Sequence, residues 1–157
     1  MKVYISNPPI KIEQVFDCKI DEVWNVISEE TALKEWFVEC SDYAFGEGHE
    51  FVISLGKQFL SRFLCHFTFI DEKSTIEYTI EPLENRRNDA VALIRWELNE
   101  EHGRTILRFA FDGVDQLIRS CKNIDYEFLS TKLSSLIKSQ LSEYLYKKLS
   151  LFSALYD

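Results

Sequence analysis

Hydrophobic and polar residues alternate with a period of two through most of the chain between residues 38 and 112. The alternation falls into six segments, over residues 38–45, 49–55, 61–71, 74–82, 90–98 and 104–112, and turn-forming residues separate them. A similar segment over residues 10–18 precedes them. Because this pattern is typical of strands with one buried face, and because the connections are short, it predicts about seven antiparallel strands.

Between the first strand and the others, the spacing of apolar residues becomes helical. Residues 21–37 read DEVWNVISEETALKEWF, and they predict two short consecutive helices, the first of them capped by Asp21. Each helix contains one tryptophan. We expect Trp24 to anchor the first helix in the core and Trp36 to lie where the second helix ends.

Near the end of the chain the spacing is helical again. Residues 112–125 predict one short helix, and residues 125–156 predict a long amphipathic helix capped by Asp125. The apolar face of the sheet must be covered, and only the long helix is large enough to cover it. The sequence therefore predicts an α+β helix-grip fold, a curved antiparallel sheet wrapped around the C-terminal helix, with residues 1–157 forming a single domain.

The composition is typical of a globular protein that lacks long apolar runs. Of 157 residues, 46% are hydrophobic and 28% are charged, and the net charge is −8. Because negative charge repels phosphate groups, we expect no nucleic acid partner. The sequence has no apolar run long enough for a membrane span, and its first residues lack the pattern of a secretion signal, so we expect a cytoplasmic location.

The sequence contains no familiar catalytic motif. It has no G-x-S-x-G nucleophile motif, no phosphate-binding glycine loop and no dinucleotide-binding motif. The cysteines are too irregularly spaced for a zinc or redox motif, and we expect free thiols at Cys18, Cys40, Cys65 and Cys121. We therefore predict no catalytic residue, no metal and no cofactor.

The helical stretch at residues 21–37 and the glycine turn that follows it resemble a known family. In the START-like, or SRPBCC, superfamily, the closest pattern belongs to the branch similar to the C-terminal domain of the Hsp90 ATPase activator (the AHSA1-like branch). The residues here that match the pattern of that branch are Val23-Trp24, Trp36-Phe37 and Gly46-Glu47-Gly48. The resemblance covers about residues 10–150. It implies a helix-grip whose apolar pocket, in relatives, holds lipids, sterols, polyketides or similar molecules.

Aromatic residues make up 14% of the chain and suggest how such a pocket would be built. Phe63, Phe67 and Phe69 have period-two spacing on one predicted strand, so we expect all three to face inward. The residues predicted to line the pocket are Trp36, Phe51, Phe63, Phe67, Tyr78, Trp96, Phe109, Tyr126, Leu129 and Leu133. Tyr78 and Tyr126 would supply hydroxyl groups, and Trp36 would lie at the mouth. The alternative is that these side chains form a filled core.

Three functions are compatible with the sequence. It favours a non-enzymatic carrier or sensor of a small hydrophobic molecule. The alternatives are a protein-interaction module resembling the activator domain, and an enzyme resembling the aromatases and cyclases of the superfamily, with Arg95 or His66 as its polar group. An interior cavity larger than about 300 Å³ would favour the carrier, and a filled core would favour the interaction module.

The C-terminal helix predicts one further contact. At 1.5 Å per residue it is about 45–50 Å long, which exceeds the width of roughly 40 Å expected for a compact chain of this size. Apolar residues near its end would then be exposed, at Leu149, Leu151, Phe152, Leu155 and Tyr156. We therefore expect a homodimer contact through the end of this helix, or a last segment that folds back.

Overall fold

Among the described residues, seven strands form one antiparallel sheet. The computed structural model describes residues 6–55, 62–83, 91–119, 121 and 124–156, the last seven by their backbone alone. The strands are β1 (Ile10–Phe16), β2 (Glu39–Ser41), β3 (Glu50–Ser54), β4 (Arg62–Asp71), β5 (Thr75–Pro82), β6 (Ala92–Glu101) and β7 (Arg104–Asp112). Their order across the sheet is β1-β7-β6-β5-β4-β3-β2, with every neighbouring pair antiparallel. The prediction of about seven antiparallel strands is confirmed.

The helices occur where the apolar spacing predicts them. Two short helices follow the first strand, one short helix follows the last strand, and a long helix ends the chain. They are α1 (Ile20–Ser28), α2 (Glu30–Trp36), α3 (Val114–Ile118), α4 (Tyr126–Ser135), a π-helical turn (Leu136–Gln140) and α5 (Leu141–Tyr156). The last three are contiguous. This element order is the α+β helix-grip that the sequence predicts.

The π turn follows from the spacing of the buried residues on the long helix. Every fourth residue of the long helix is buried, namely Leu129, Leu133, Ile137, Leu141 and Leu145. In a regular α-helix each four-residue step advances about 400°, so four steps rotate the stripe by about 160° away from its starting direction. A π turn holds one more residue than an α-helical turn, so the extra residue does not rotate the stripe further around the helix. It therefore keeps both halves of the stripe buried in the core.

Of the two predicted helix caps, one is correct. The Asp125 carboxylate accepts a hydrogen bond from the backbone N–H of Phe128 at 2.7 Å. The prediction that Asp21 caps the first helix is wrong, because α1 begins at Ile20. At this end Glu22 accepts a hydrogen bond from the backbone N–H of Lys19 at 3.2 Å, as the third residue of a capping box does.

A β-bulge corrects the inward face predicted for β4. The pairing of β4 with β5 shifts by one residue between Phe67 and Phe69, so that Phe67 faces Tyr78 in the register. Phe69 consequently turns outward and is 45% exposed, which contradicts the prediction that it shares a face with Phe67. Ile70 takes the inward position instead, opposite the buried Ile76.

The strand predicted over residues 38–45 is shorter than expected. β2 ends at Ser41, and Asp42 has a positive φ of 55°, which turns the chain away from the sheet edge. The following residues fold back over the aromatic interior. Tyr43 packs on Phe51 with ring centroids 5.1 Å apart, and Phe45 packs on Phe67 with centroids 5.3 Å apart.

The last part of the long helix bears on the predicted homodimer. The helical backbone continues without a break to Tyr156, so the alternative of a folded-back last segment is not found. The homodimer contact stays a prediction, because the side chains after Leu149 lie outside the described residues. The predicted turns at residues 56–58 and 84–89 also lie outside them. Among the described residues, no helix is both long and apolar enough to cross a membrane.

The cap at Asp125 should contribute measurably to stability. Asp125→Ala leaves a backbone N–H of the long helix without an acceptor, so we expect the free energy of unfolding to fall by about 1 kcal/mol. For a chain of this size that lowers the melting temperature by about 2–4 °C. Asp125→Asn keeps an acceptor oxygen and should stay within a few tenths of a kcal/mol of the original. Equal losses in both variants, measured by thermal or urea unfolding, would contradict the capping role.

Candidate functional site

The inner face of the sheet is covered by contacting aromatic rings. Phe67 on β4 faces Tyr78 on β5 in the register, with ring centroids 5.7 Å apart. On the same face, the ring centroids of Trp96 on β6 and Phe109 on β7 are 4.7 Å apart. Edge-to-face and tilted pairs of this kind pack closely, and they leave little free space between the sheet and the helices.

The described residues border two small cavities in this interior, which we name cavity A and cavity B. Cavity A lies under α1, α2 and the loop after β2, and it is lined by Ile27, Leu33, Phe37, Cys40, Tyr43, Phe51, Phe67, Ile76, Tyr78 and Trp96. Cavity B lies between the sheet and α4. It is lined by Phe37, Val38, Ile53, Leu55, Phe63, Ile80, Ile94, Phe111, Leu117, Leu129, Lys132, Leu133 and Leu136.

Both cavities are too small for a drug-sized molecule. Cavity A has a volume of about 10 Å³ and cavity B of about 30 Å³. A single water requires about 10–15 Å³ on this scale, and ligand pockets usually exceed 300 Å³. By the criterion drawn from the sequence, this nearly filled interior favours an interaction module over a carrier whose pocket is already open.

Phe37 borders both cavities. Its side chain is partly buried, and it is the one described residue that lines both of them. Its ring lies 5.1 Å from the ring of Trp36 and 5.5 Å from that of Trp96. It follows the last residue of α2, where the chain leaves helical geometry. Phe37 therefore forms part of the wall of each cavity.

The structure brings most of the predicted pocket residues to these cavities. Phe51, Phe67, Tyr78 and Trp96 line cavity A, and Phe63, Leu129 and Leu133 line cavity B. Phe109 and Tyr126 line neither. Trp36 lines neither as well and is not at the mouth, because it is only 2% exposed and its indole N–H donates to the Val26 carbonyl at 2.6 Å.

Sequence reasoning missed the residues that shape the cavities from the loops. Phe37 was visible only as the second residue of the Trp-Phe pair, and Tyr43 fell inside a predicted strand. Neither position carries a periodicity signal, since both follow the end of a regular element. Cys40 also lines cavity A and was not predicted to do so. Its thiol donates a hydrogen bond to the Val38 carbonyl at 3.4 Å.

The buried Tyr78 and the partly buried Tyr43 supply the hydroxyl groups of cavity A. The Tyr43 hydroxyl donates to the backbone carbonyl of Ser28. The Tyr78 hydroxyl accepts a hydrogen bond from the indole N–H of Trp96 at 3.2 Å. Burial raises the pKa of both tyrosines above its ordinary value, so both hydroxyls stay protonated and neutral.

The thiols of Cys18 and Cys40 are not activated as nucleophiles. Burial, with a smaller contribution from nearby carboxylates, raises the pKa of Cys18 and that of Cys40 to about 11, so both thiols are protonated near neutral pH. Among the described residues the cysteines are free, as predicted. His66 and Arg95 lie exposed on the outer face of the sheet, away from the interior, so the two residues considered for an enzyme are not near the cavities.

Two larger concave surfaces lie outside the interior. One, of about 500 Å³, runs along α4 and the π turn. The other, of about 440 Å³, lies on the outer face of β1, β7 and β6. Its charged groups largely pair with each other, as Arg95 does with Glu97 at 2.6 Å and Arg108 with Glu13 at 3.5 Å. Exposed pairs of this kind are usual on a solvated sheet. The described residues contain no group of three potential metal ligands.

Most of the chain matches a known family model. The family described as Activator of Hsp90 ATPase homolog 1-like protein matches residues 17–137, which is more than half of the chain. The chain belongs to this family. The match includes α1, α2, the entire sheet after β1, and α4, so it covers the elements that enclose both cavities.

Solved structures share the fold of this family member at low sequence identity. Protein BH1534 of Bacillus halodurans is 20% identical, with a TM-score of 0.69, over 88% of this chain and 97% of that protein. CalU16 of Micromonospora echinospora is 17% identical, with a TM-score of 0.57, over 94% and 87%. DynU16, from the dynemicin biosynthetic locus, is 14% identical with a TM-score of 0.69. This chain covers 48% of DynU16, about half its length. No curated protein matches the sequence.

The hydrogen bond between Trp96 and Tyr78 should contribute to stability. Tyr78→Phe leaves the buried indole N–H without an acceptor, so we expect the free energy of unfolding to fall by about 1–3 kcal/mol. Tyr146→Phe is the matched control, because Tyr146 is 73% exposed, and it should change stability by less than about 0.5 kcal/mol. Urea unfolding measures both. Equal stability of the two variants would show that the indole group finds another partner.

Proposed function

We propose that this protein binds a small hydrophobic molecule in its interior, by joining cavity A and cavity B across Phe37. The observation that carries the proposal is that one side chain forms a wall of both cavities. The two spaces share this one lining side chain, so we infer that displacement of its ring is the step that connects them. A pocket of this kind is closed in the free protein and becomes populated when a ligand binds.

The lining supports an apolar ligand. Apart from the stem of Lys132, cavity B is bordered by hydrophobic side chains, and burial of apolar area contributes about 25 cal/mol per Å². Leu136, the first residue of the π turn, belongs to this lining. π turns occur frequently at functional sites, and here the turn lies where the helix would have to adjust for a larger cavity.

The chemistry of the interior supports binding rather than turnover. The thiol and hydroxyl groups that line cavity A are protonated and held in hydrogen bonds, and the exposed Arg95 and His66 do not reach it. We therefore propose a non-enzymatic carrier or sensor. The free thiols of the described cysteines are compatible with a reducing compartment, which supports the proposed cytoplasmic location.

Binding of apolar probes to the unmodified chain tests the proposal. Benzene, naphthalene and biphenyl form a series of increasing size. We expect at least one of them to raise the melting temperature with saturable dependence on its concentration. At ten times its dissociation constant, it would add about 1.4 kcal/mol, or about 3–5 °C. If no probe stabilises the protein and none perturbs the NMR signals of the interior methyl groups, the interior is a core and the proposal fails.

Truncation of Phe37 should open the joined pocket permanently. Phe37→Ala is expected to lower the free energy of unfolding by about 2–4 kcal/mol, somewhat less than a fully buried phenylalanine because Phe37 is partly exposed. Benzene should then recover part of this loss, since an apolar cavity on the order of 150 Å³ binds benzene.

Phe69→Ala is the matched control for the truncation of Phe37. It removes the same atoms from an exposed outer position, so neither a large loss of stability nor recovery by benzene is expected. A Phe37→Ala variant that benzene does not stabilise would show that the surrounding side chains collapse into the space.

A second candidate is a protein-interaction module, and the nearly filled interior favours it. The name of the family model refers to activation of the Hsp90 ATPase, which makes a chaperone of that type the partner to test. Under this candidate, titration of the protein into a purified Hsp90-type chaperone raises its rate of ATP hydrolysis. An unchanged rate together with saturable binding of apolar probes would exclude the second candidate and support the first.

A further inference from the structure

The hydroxyl group of Tyr78 has an unused hydrogen-bond donor among the described residues. The side chain is buried, and its oxygen accepts from the indole N–H of Trp96 at 3.2 Å. A tyrosine hydroxyl can also donate one hydrogen bond. Among the described residues, none accepts a hydrogen bond from it. Its donor hydrogen is therefore available in an environment where water is largely excluded.

The other polar groups that line cavity A have already used their donors. The Tyr43 hydroxyl donates to Ser28, and the Cys40 thiol donates to Val38. The Trp96 indole N–H is used by Tyr78 itself. The Tyr78 hydroxyl is thus the one donor among the described lining residues of cavity A that can serve a ligand.

The sizes of the two cavities complement this arrangement. Cavity A, at about 10 Å³, has room for a single small group, whereas cavity B, at about 30 Å³, is larger and is lined by hydrophobic side chains. Phe37 lies between them. A molecule that displaces this ring would therefore have a small polar end near Tyr78 and an apolar body towards α4.

We propose that the interior ligand is a neutral hydrophobic molecule with one acceptor oxygen of the carbonyl type, which the Tyr78 hydroxyl binds in cavity A. This inference rests on the proposed function and names the chemical class of its ligand. The Trp96 indole N–H is a positioning group, since it holds the Tyr78 oxygen and leaves the hydroxyl hydrogen to point away from it. A buried donor that meets an acceptor stabilises the complex, and one that meets an alkyl group does not.

The charge of the lining decides between a neutral oxygen and a carboxylate. No lysine, arginine or histidine is among the described residues that line cavity A. An ionised carboxylate would be buried there without a counter-charge, at a cost far greater than one hydrogen bond returns. The ligand class is therefore ketones, esters, amides and similar neutral molecules, and excludes free fatty acids bound by their carboxylate in this cavity.

Two nearly isosteric probes test the inference. Acetophenone carries a carbonyl oxygen where α-methylstyrene carries a methylene group. The ratio of their dissociation constants therefore measures the contribution of the acceptor oxygen to binding. The ratio is measured by NMR titration in the unmodified chain, in Tyr78→Phe and in Tyr146→Phe. We expect the preference for acetophenone to fall by about threefold to tenfold in Tyr78→Phe, the range that one neutral hydrogen bond covers. It should be unchanged in Tyr146→Phe.

A spectroscopic measurement on the unmodified chain tests the same inference and does not require the Tyr78→Phe variant to fold. The carbonyl stretching band of acetophenone bound to the unmodified chain should lie at lower frequency than in an alkane solvent, because a hydrogen bond weakens the bond between carbon and oxygen. An unshifted band, or a probe ratio that Tyr78→Phe leaves unchanged, overturns this inference while binding of both probes upholds the proposed function. If neither probe binds the unmodified chain, the proposed function fails, and this inference fails with it.

Discussion

The burial of one face of the long helix against the sheet is the constraint on which the rest of the structure depends. Its apolar residues recur every four positions from Leu129 to Leu145, which is slightly longer than the period of an α-helix. A straight α-helix would turn the end of this stripe away from the core. The π turn at Leu136–Gln140 corrects the rotation at the cost of regular hydrogen bonding. Cavity B lies beside this turn, where the helix geometry changes.

Aromatic packing then determines how much space is left inside. Phenylalanine and tryptophan rings pack edge to face across β4, β5, β6 and β7, and each fills volume that a relative with smaller side chains would leave open. Trp36 and Phe37 are neighbours in sequence but have different surroundings. Trp36 is fixed by a hydrogen bond to Val26, while the partly buried Phe37 has no polar anchor. The partly buried ring is the one that borders both cavities.

Periodic features could be predicted from the sequence, and single-residue irregularities could not. Alternation in β4 correctly placed Phe63 and Phe67, because each strand residue repeats the orientation of the residue two positions before it. That rule fails at Thr68, where one extra residue in β4 reverses the orientation of Phe69. Bulges arise from the pairing between strands, so alternation within one strand does not reveal them. The position of Phe37 at the border of both cavities was missed for a similar reason, because it depends on where α2 ends.

The pair formed by Trp96 and Tyr78 is the feature that packing alone explains least. A leucine or phenylalanine at position 78 would fill a core without bringing a hydroxyl group out of water, and burying that group costs free energy unless its hydrogen bonds are met. The indole N–H of Trp96 meets only the acceptor half of that requirement. The fold is common to relatives with less than a quarter of their residues identical, so it does not specify a ligand. If the interior binds a ligand, as we propose, specificity comes from such isolated polar groups, and the unused donor of Tyr78 beside cavity A is the group that would recognise an oxygen.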